Sequence, residues 1–142
     1  MKFSDIGQNE WEELKPYLDT CLLPLTGLAG DESPWLATRK LTELRDWLDL
    51  IEMPFKGRIV TYPAVHYTDG SSGFADHVGP LCRKLKQSGF RFVVLITADE
   101  ATGMADVPDA DLIIGPAMDP KESGTSRAEA VAEAVKRLWS GE

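Results

Sequence analysis

His66 is the residue of this chain best suited to moving a proton, because an imidazole gives and takes one near neutral pH. It stands in Tyr62-Pro63-Ala64-Val65-His66-Tyr67-Thr68-Asp69, within reach in sequence of Tyr67 and Asp69. Asp99 is a third possible partner if two strands end side by side. Ser71 or Ser72 with His66 and Asp99 supplies the residue types of a nucleophilic triad. Gly70-Ser71-Ser72-Gly73 is not the five-residue G-x-S-x-G elbow, however, and does not directly follow a strand. Three stretches join glycine to hydroxyls just before a helix: Gly27 and Gly30 with Thr26 and Ser33, then residues 68–73, then Ser123-Gly124-Thr125-Ser126. Glycine lets backbone approach a ligand, and helix N-termini present free N–H groups, so these loops are a candidate anion cradle. The same residues are also what ordinary helix capping requires. The candidate ligand contacts are Gly27, Tyr67, Asp69, Ser71, Ser72, Asp99, Ser123 and Thr125, with His66 as the candidate catalytic group. Neither G-x-x-x-x-G-K-[ST] nor a G-x-G-x-x-G after the first strand is present.

Metal chemistry has a thin basis. Asp99, Glu100, Asp106, Asp109 and Asp111 form an acidic stretch without the spacing of a calcium loop. Cys21 and Cys82 make no C-x-x-C pair, and both fall on apolar faces, as buried thiols do. No metal and no cofactor is expected.

Alternating strands and helices must position these residues. A helix over 9–18 is capped by Asn9 and carries Trp11, Leu14 and Leu18 on one side, with Pro16 as a flaw. A strand follows over 20–26, and Pro24 suggests an edge or bulged position. Ser33-Pro34 opens a helix that runs to Met53. Its apolar arc, Leu36, Leu41, Leu44, Trp47, Leu48, Leu50 and Ile51, spans about half the circumference, wider than one sheet face needs. Leu36, Trp47 and Leu50 are therefore expected to meet a protein partner or a second copy of the chain. Further strands are read over 58–62, 90–97 and 112–114, and further helices over 73–88 and 126–139. A short crossover helix near Asp99, with Ala101 and Met104 covering the sheet, favours a parallel fourth strand, an antiparallel one being the alternative. This order predicts a single three-layer αβα domain over 1–142, with 1–18 as a helical segment packed on it. Its four-stranded, mostly parallel sheet is flavodoxin-like or Rossmann-like.

Charge excludes some functions. Twenty-three acids and fifteen bases in 142 residues give −8, which argues against a nucleic-acid or anionic-membrane surface. The charge is uneven: residues 1–56 carry −5, 57–97 carry +3 and 98–142 carry −6. Arg83, Lys84, Lys86 and Arg91 lie at the amino edge of the sheet, away from the carboxyl edge where open α/β sheets bind ligands. The longest apolar run, Phe92 to Ile96, is too short to span a bilayer, and the start has no apolar leader, so a cytoplasmic location is expected.

Leu14-Lys15-Pro16-Tyr17-Leu18-Asp19-Thr20 with Leu23-Pro24-Leu25, then Phe55-Lys56-Gly57-Arg58 and Ser88-Gly89-Phe90, resembles the YpiF-like family of uncharacterised bacterial proteins. That resemblance implies a small cytoplasmic bacterial protein and assigns no catalytic residue. Two functions remain: a non-catalytic interaction module, or a binder of nucleotides or phosphorylated metabolites at the carboxyl edge. Whether the chain is an enzyme is left open by these residues.

Overall fold

Short β-branched and leucine-rich runs form the strands of a computed structural model that describes residues 1–67, 73–120 and 124–141. The strands are β1 (Thr20–Leu25), β2 (Ile59–Thr61), β3 (Phe92–Thr97) and β4 (Leu112–Ile114). All pair in parallel, in the order β2-β1-β3-β4. Five α-helices are described: α1 (Gln8–Leu14), α2 (Pro34–Glu52), α3 (Phe74–Gln87), α4 (Glu100–Gly103) and α5 (Arg127–Ser140). The result is an α/β fold in three layers.

Side chains alternate across the sheet, as a period of two requires. Leu22, Val94, Ile96 and Ile114 point to α2 and α5, where they meet Trp47, Ile51, Val131 and Val135. Cys21, Leu23, Leu25, Val93 and Leu95 point to the opposite layer, with Phe74, Val78, Cys82 and Leu85 of α3. Ile6, Trp11 and Leu14 of the N-terminal segment pack at the margin of that second core.

The α2/α5 face is closed at both ends by polar contacts. Arg127 stacks on the Trp47 ring at 4.2 Å and donates to both Asp119 oxygens at 2.6 and 2.8 Å. At the other end, Trp139 Nε1 donates to the buried Thr20 hydroxyl at 2.9 Å, and Arg58 stacks on the Trp139 ring while gripping Asp19.

Several expectations are corrected. β1 lies between β2 and β3 rather than at an edge. Pro24 is tolerated because its carbonyl accepts from Val65 at 2.8 Å, which places its missing N–H on the β2 side beyond the last β2 residue. α1 begins after Gly7, with Asn9 inside it, and ends at Leu14, two residues before Pro16. Trp47 is 3% exposed and Leu50 and Leu36 are half-buried, so this arc is not a free docking face at its centre. Its excess width is met by α5 of the same chain. Leu41, expected in the buried stripe, is exposed. In α4 the buried residue is Thr102, while Ala101 and Met104 are exposed.

Candidate functional site: a filled crevice and an open cleft

Strand order locates the crevice that α/β proteins use. The chain leaves β1 for β2 on one side and returns to β3 on the other, so the order reverses between β1 and β3. The loops after those two strands carry Gly27 and Asp99. They do not leave a ligand-sized gap. Gly27 has φ +71°, and a Cβ placed on it would lie 2.5 Å from the Asp99 Cβ. Asp99 is turned inward to cap α4, accepting from the Thr102 N–H at 2.9 Å and its hydroxyl at 2.6 Å. Between β1 and β3 there remains a space of about 50 Å³ lined by Thr26, Lys40, Glu43, Ala98 and Asp99; next to it, toward β4, lies a polar hollow of about 340 Å³ lined by Glu43, Asp46, Trp47, Ala98, Pro116 and Arg127.

The backbone cradle beside Gly27 is also occupied from within. The Ala29 and Gly30 N–H groups donate to the Glu32 carboxylate at 2.7 and 2.8 Å, and Lys40 pairs with it at 3.2 Å. Those two N–H groups, with Lys40, hold the Glu32 carboxyl down at about 2. Glu32 thus sits where an anionic ligand would bind. Neither Glu32 nor Lys40 is evident from motif reading; the usable signal is a glutamate two residues after Gly30, followed by a lysine nearly two turns into α2.

The other site residues lie elsewhere. His66 and Tyr67 are exposed, with their rings 6.3 Å apart. Tyr67 approaches Gly30 and holds a left-handed backbone, φ 60°, which for a side-chain-bearing residue costs roughly 1 kcal/mol. Thr125 is half-buried just before the Ser126 cap of α5, whose hydroxyl accepts from Glu129 at 3.1 Å. Asp69, Ser71, Ser72 and Ser123 lie outside the described residues. Among the described residues, Gly27 and Asp99 meet, and His66 and Tyr67 meet, but the two pairs do not line one pocket. Among those residues no group of three His, Cys, Asp or Glu is placed to hold a metal ion. Burial pushes the Cys21 thiol up, and the Cys82 thiol up to about 11, so neither is a ready nucleophile.

The apolar concave sites are on the α1/α3 face. A cleft of about 490 Å³ lies between the segment after β2 and α3, lined by Tyr62, Pro63, Val65, His66, His77 and Leu81 among others. A second, of about 260 Å³, is bounded by Phe3, Ile6, Gln8, Trp11, Val60 and Tyr62. Tyr62 belongs to both. Its ring stands edge-on to Phe90 at 5.3 Å, and Phe90 in turn touches Trp11 at 5.9 Å. Partial burial raises the Tyr62 phenol above its ordinary value, so it stays neutral in this setting. By helical spacing Leu81 shares the apolar face of Phe74, Val78, Cys82 and Leu85; in the structure those four are buried, while Leu81 is half-buried at the boundary and forms a wall of the cleft. The hint was present in the neighbouring types: at 100° per residue, His77 and Lys84 flank Leu81 on its outer side.

The bases of α3 divide between its two sides. Arg83 and Lys86 face β4 and are paired with Asp109 at 2.5 Å and Asp111 at 3.2 Å. His77, Leu81 and Lys84 follow one another at i, i+4 and i+7 on the cleft side.

A family model described as Protein of unknown function (DUF2487) matches residues 9–140. The chain belongs to that family. The matched span runs from the second residue of α1 to the last of α5, so it takes in both helical layers and the larger cleft, while the smaller cleft draws Phe3, Ile6, Gly7 and Gln8 from outside it. No curated protein and no solved structure matches the chain.

Proposed function

We propose that this chain is a binding module that docks an apolar segment of a partner protein on the α1/α3 face, without chemistry of its own. One observation carries the reading: the customary ligand crevice is filled by Asp99 against Gly27, while two apolar clefts sharing Tyr62 stand open on one face. Two apolar clefts that share Tyr62 suit a peptide or helix. The docking surface is thereby moved from Leu36, Trp47 and Leu50 to Tyr62, Val65 and Leu81. We read the strand order, the first four of 2-1-3-4-5, as flavodoxin-like. The packing of Ile6, Trp11 and Leu14 supports treating 1–142 as one unit. The residues of the quoted resemblance support placing the chain in a YpiF-like, bacterial and cytoplasmic group.

The test is site-specific photo-crosslinking in cells. A photoreactive residue at position 81 is expected to trap a defined protein, and the same residue at Ala132 on the outer side of α5 is expected to trap none. Equal trapping at both positions, or none at 81, contradicts the reading. A second reading, a small organic ligand in the larger cleft, is favoured by His66 and His77 on an otherwise apolar wall of suitable size. It predicts a thermal shift with apolar carboxylates that is lost in His77→Ala.

A further inference from the structure

We infer, independently of the docking reading, that the loop after β1 is a small-oxyanion site held shut by the chain's own Glu32. The donors of this site come from residues other than Glu32. The Ala29 N–H donates to one carboxylate oxygen at 2.7 Å and the Gly30 N–H to the other at 2.8 Å. Successive backbone N–H groups turned to one side make a concavity for an anion, and here Gly27 and Gly30 supply the left-handed turns, with φ +71° and +106°. Lys40 brings the positive charge, 3.2 Å from the Oε2 of Glu32. Its ammonium also donates to the Gly27 carbonyl at 3.4 Å, so Lys40 keeps an anchor on the loop when the carboxylate leaves.

Capping of α2 does not account for Glu32. The cap position is Ser33, and the N–H groups that Glu32 accepts from lie behind it, two and three residues back along the chain. The Glu32 side chain is only 5% exposed, yet Ala29 and Gly30 around it are exposed, so solvent reaches the donors once that side chain swings out. The exposed Tyr67 ring forms one rim, 3.8 Å from where a Cβ on Gly30 would lie. The loop stands at the carboxyl end of β1, where open α/β sheets take ligands. Two N–H groups set for two oxygens, with one ammonium beside them, suit a carboxylate or a phosphate group. Glu32 is tethered three residues from its donors and competes at a high effective concentration, so a free oxyanion enters only by displacing it.

The experiment follows the Ala29 and Gly30 amide signals of the isotope-labelled full chain while acetate and inorganic phosphate are titrated separately, against chloride at equal ionic strength. Glu32→Ala is expected to give saturable shifts at those two amides, with half-saturation at a concentration at least about tenfold below that of the unaltered chain. The lower of the two half-saturation points names the oxyanion. The Glu32→Ala/Lys40→Met double variant is expected to lose the response. Glu32→Gln keeps the bulk of the side chain without its charge, and it carries the test where circular dichroism shows Glu32→Ala to be unfolded. The same response in the unaltered chain and the Glu32 variants, no response in either variant, or shifts centred away from Ala29 and Gly30 overturns the inference. Loss of fold in both variants overturns it too, since the backbone donors would then depend on the carboxylate they hold.

Discussion

The two faces of this sheet are built from the same kind of strand residue and finished differently. On the α2/α5 face, two long helices cover the sheet, Trp47 fills the seam between them, and stacked arginines close both ends. On the α1/α3 face, α1 stops ahead of Pro16, and Tyr62, Val65 and Leu81 are left half-buried under open clefts. On one face the hollows are polar and lie outside a closed core, and on the other they are apolar and open beside it. Burial alone therefore does not tell where an apolar residue works. Trp47, an apparent interface residue by type, is structural, and Leu81, an apparent core residue by pattern, borders a site.

The sharpest way to break this contrast is to cut into both faces. Trp47→Ala should cost about 3–5 kcal/mol in chemical denaturation, because it empties a sealed seam and strips the stack from Arg127. A cost under 1 kcal/mol would mean that Trp47 is not structural. Gly27→Ala should cost about 2–4 kcal/mol, combining a left-handed backbone with a Cβ driven against Asp99. A neutral result would show the crevice to be open enough for a ligand after all. Leu81→Ser should cost only about 1 kcal/mol, since this side chain is half exposed, while abolishing capture at the groove. Tyr67→Gly should be neutral or stabilise by up to about 1 kcal/mol, by relieving the left-handed backbone of an exposed residue.

The smallest effect is electrostatic. Glu32 has a native-state carboxyl near 2 against an ordinary 4.5, so its contribution is present above pH 4.5 and lost as the pH falls toward 2. Glu32→Gln should flatten the acid limb of the stability profile between those values and leave the neutral region's slope unchanged. An unaltered acid limb would mean that the carboxylate is not held in its backbone cradle.

The element order and a mostly parallel sheet could be read from sequence because they rest on local signals, whereas the direction of the fourth strand could not. Ser33-Pro34 opens α2, Ser126 caps α5, Asp99 caps α4, and the β3 run is apolar on both faces. Strand order could not be read, since it depends on which strands pair, and Pro24 pointed wrongly to an edge. A proline penalty depends on whether a neighbour reaches its missing N–H, and β2 ends too soon to do so. The site was legible only as a region. Gly27 and Asp99 were both assigned to the carboxyl edge, but their types do not reveal that they touch and close the crevice. The groove escaped notice because it arises from what is missing, the turns that α1 does not make. No single residue type announces that.

Chemical-shift mapping of the isotope-labelled chain with an amphipathic peptide carrying a leucine stripe tests the central contrast most directly. The account predicts perturbed signals at Tyr62, Val65, His77 and Leu81, with Trp47, Ile51 and Val131 unmoved. Perturbation centred on Gly27 and Asp99, or on the α2/α5 seam, would contradict it.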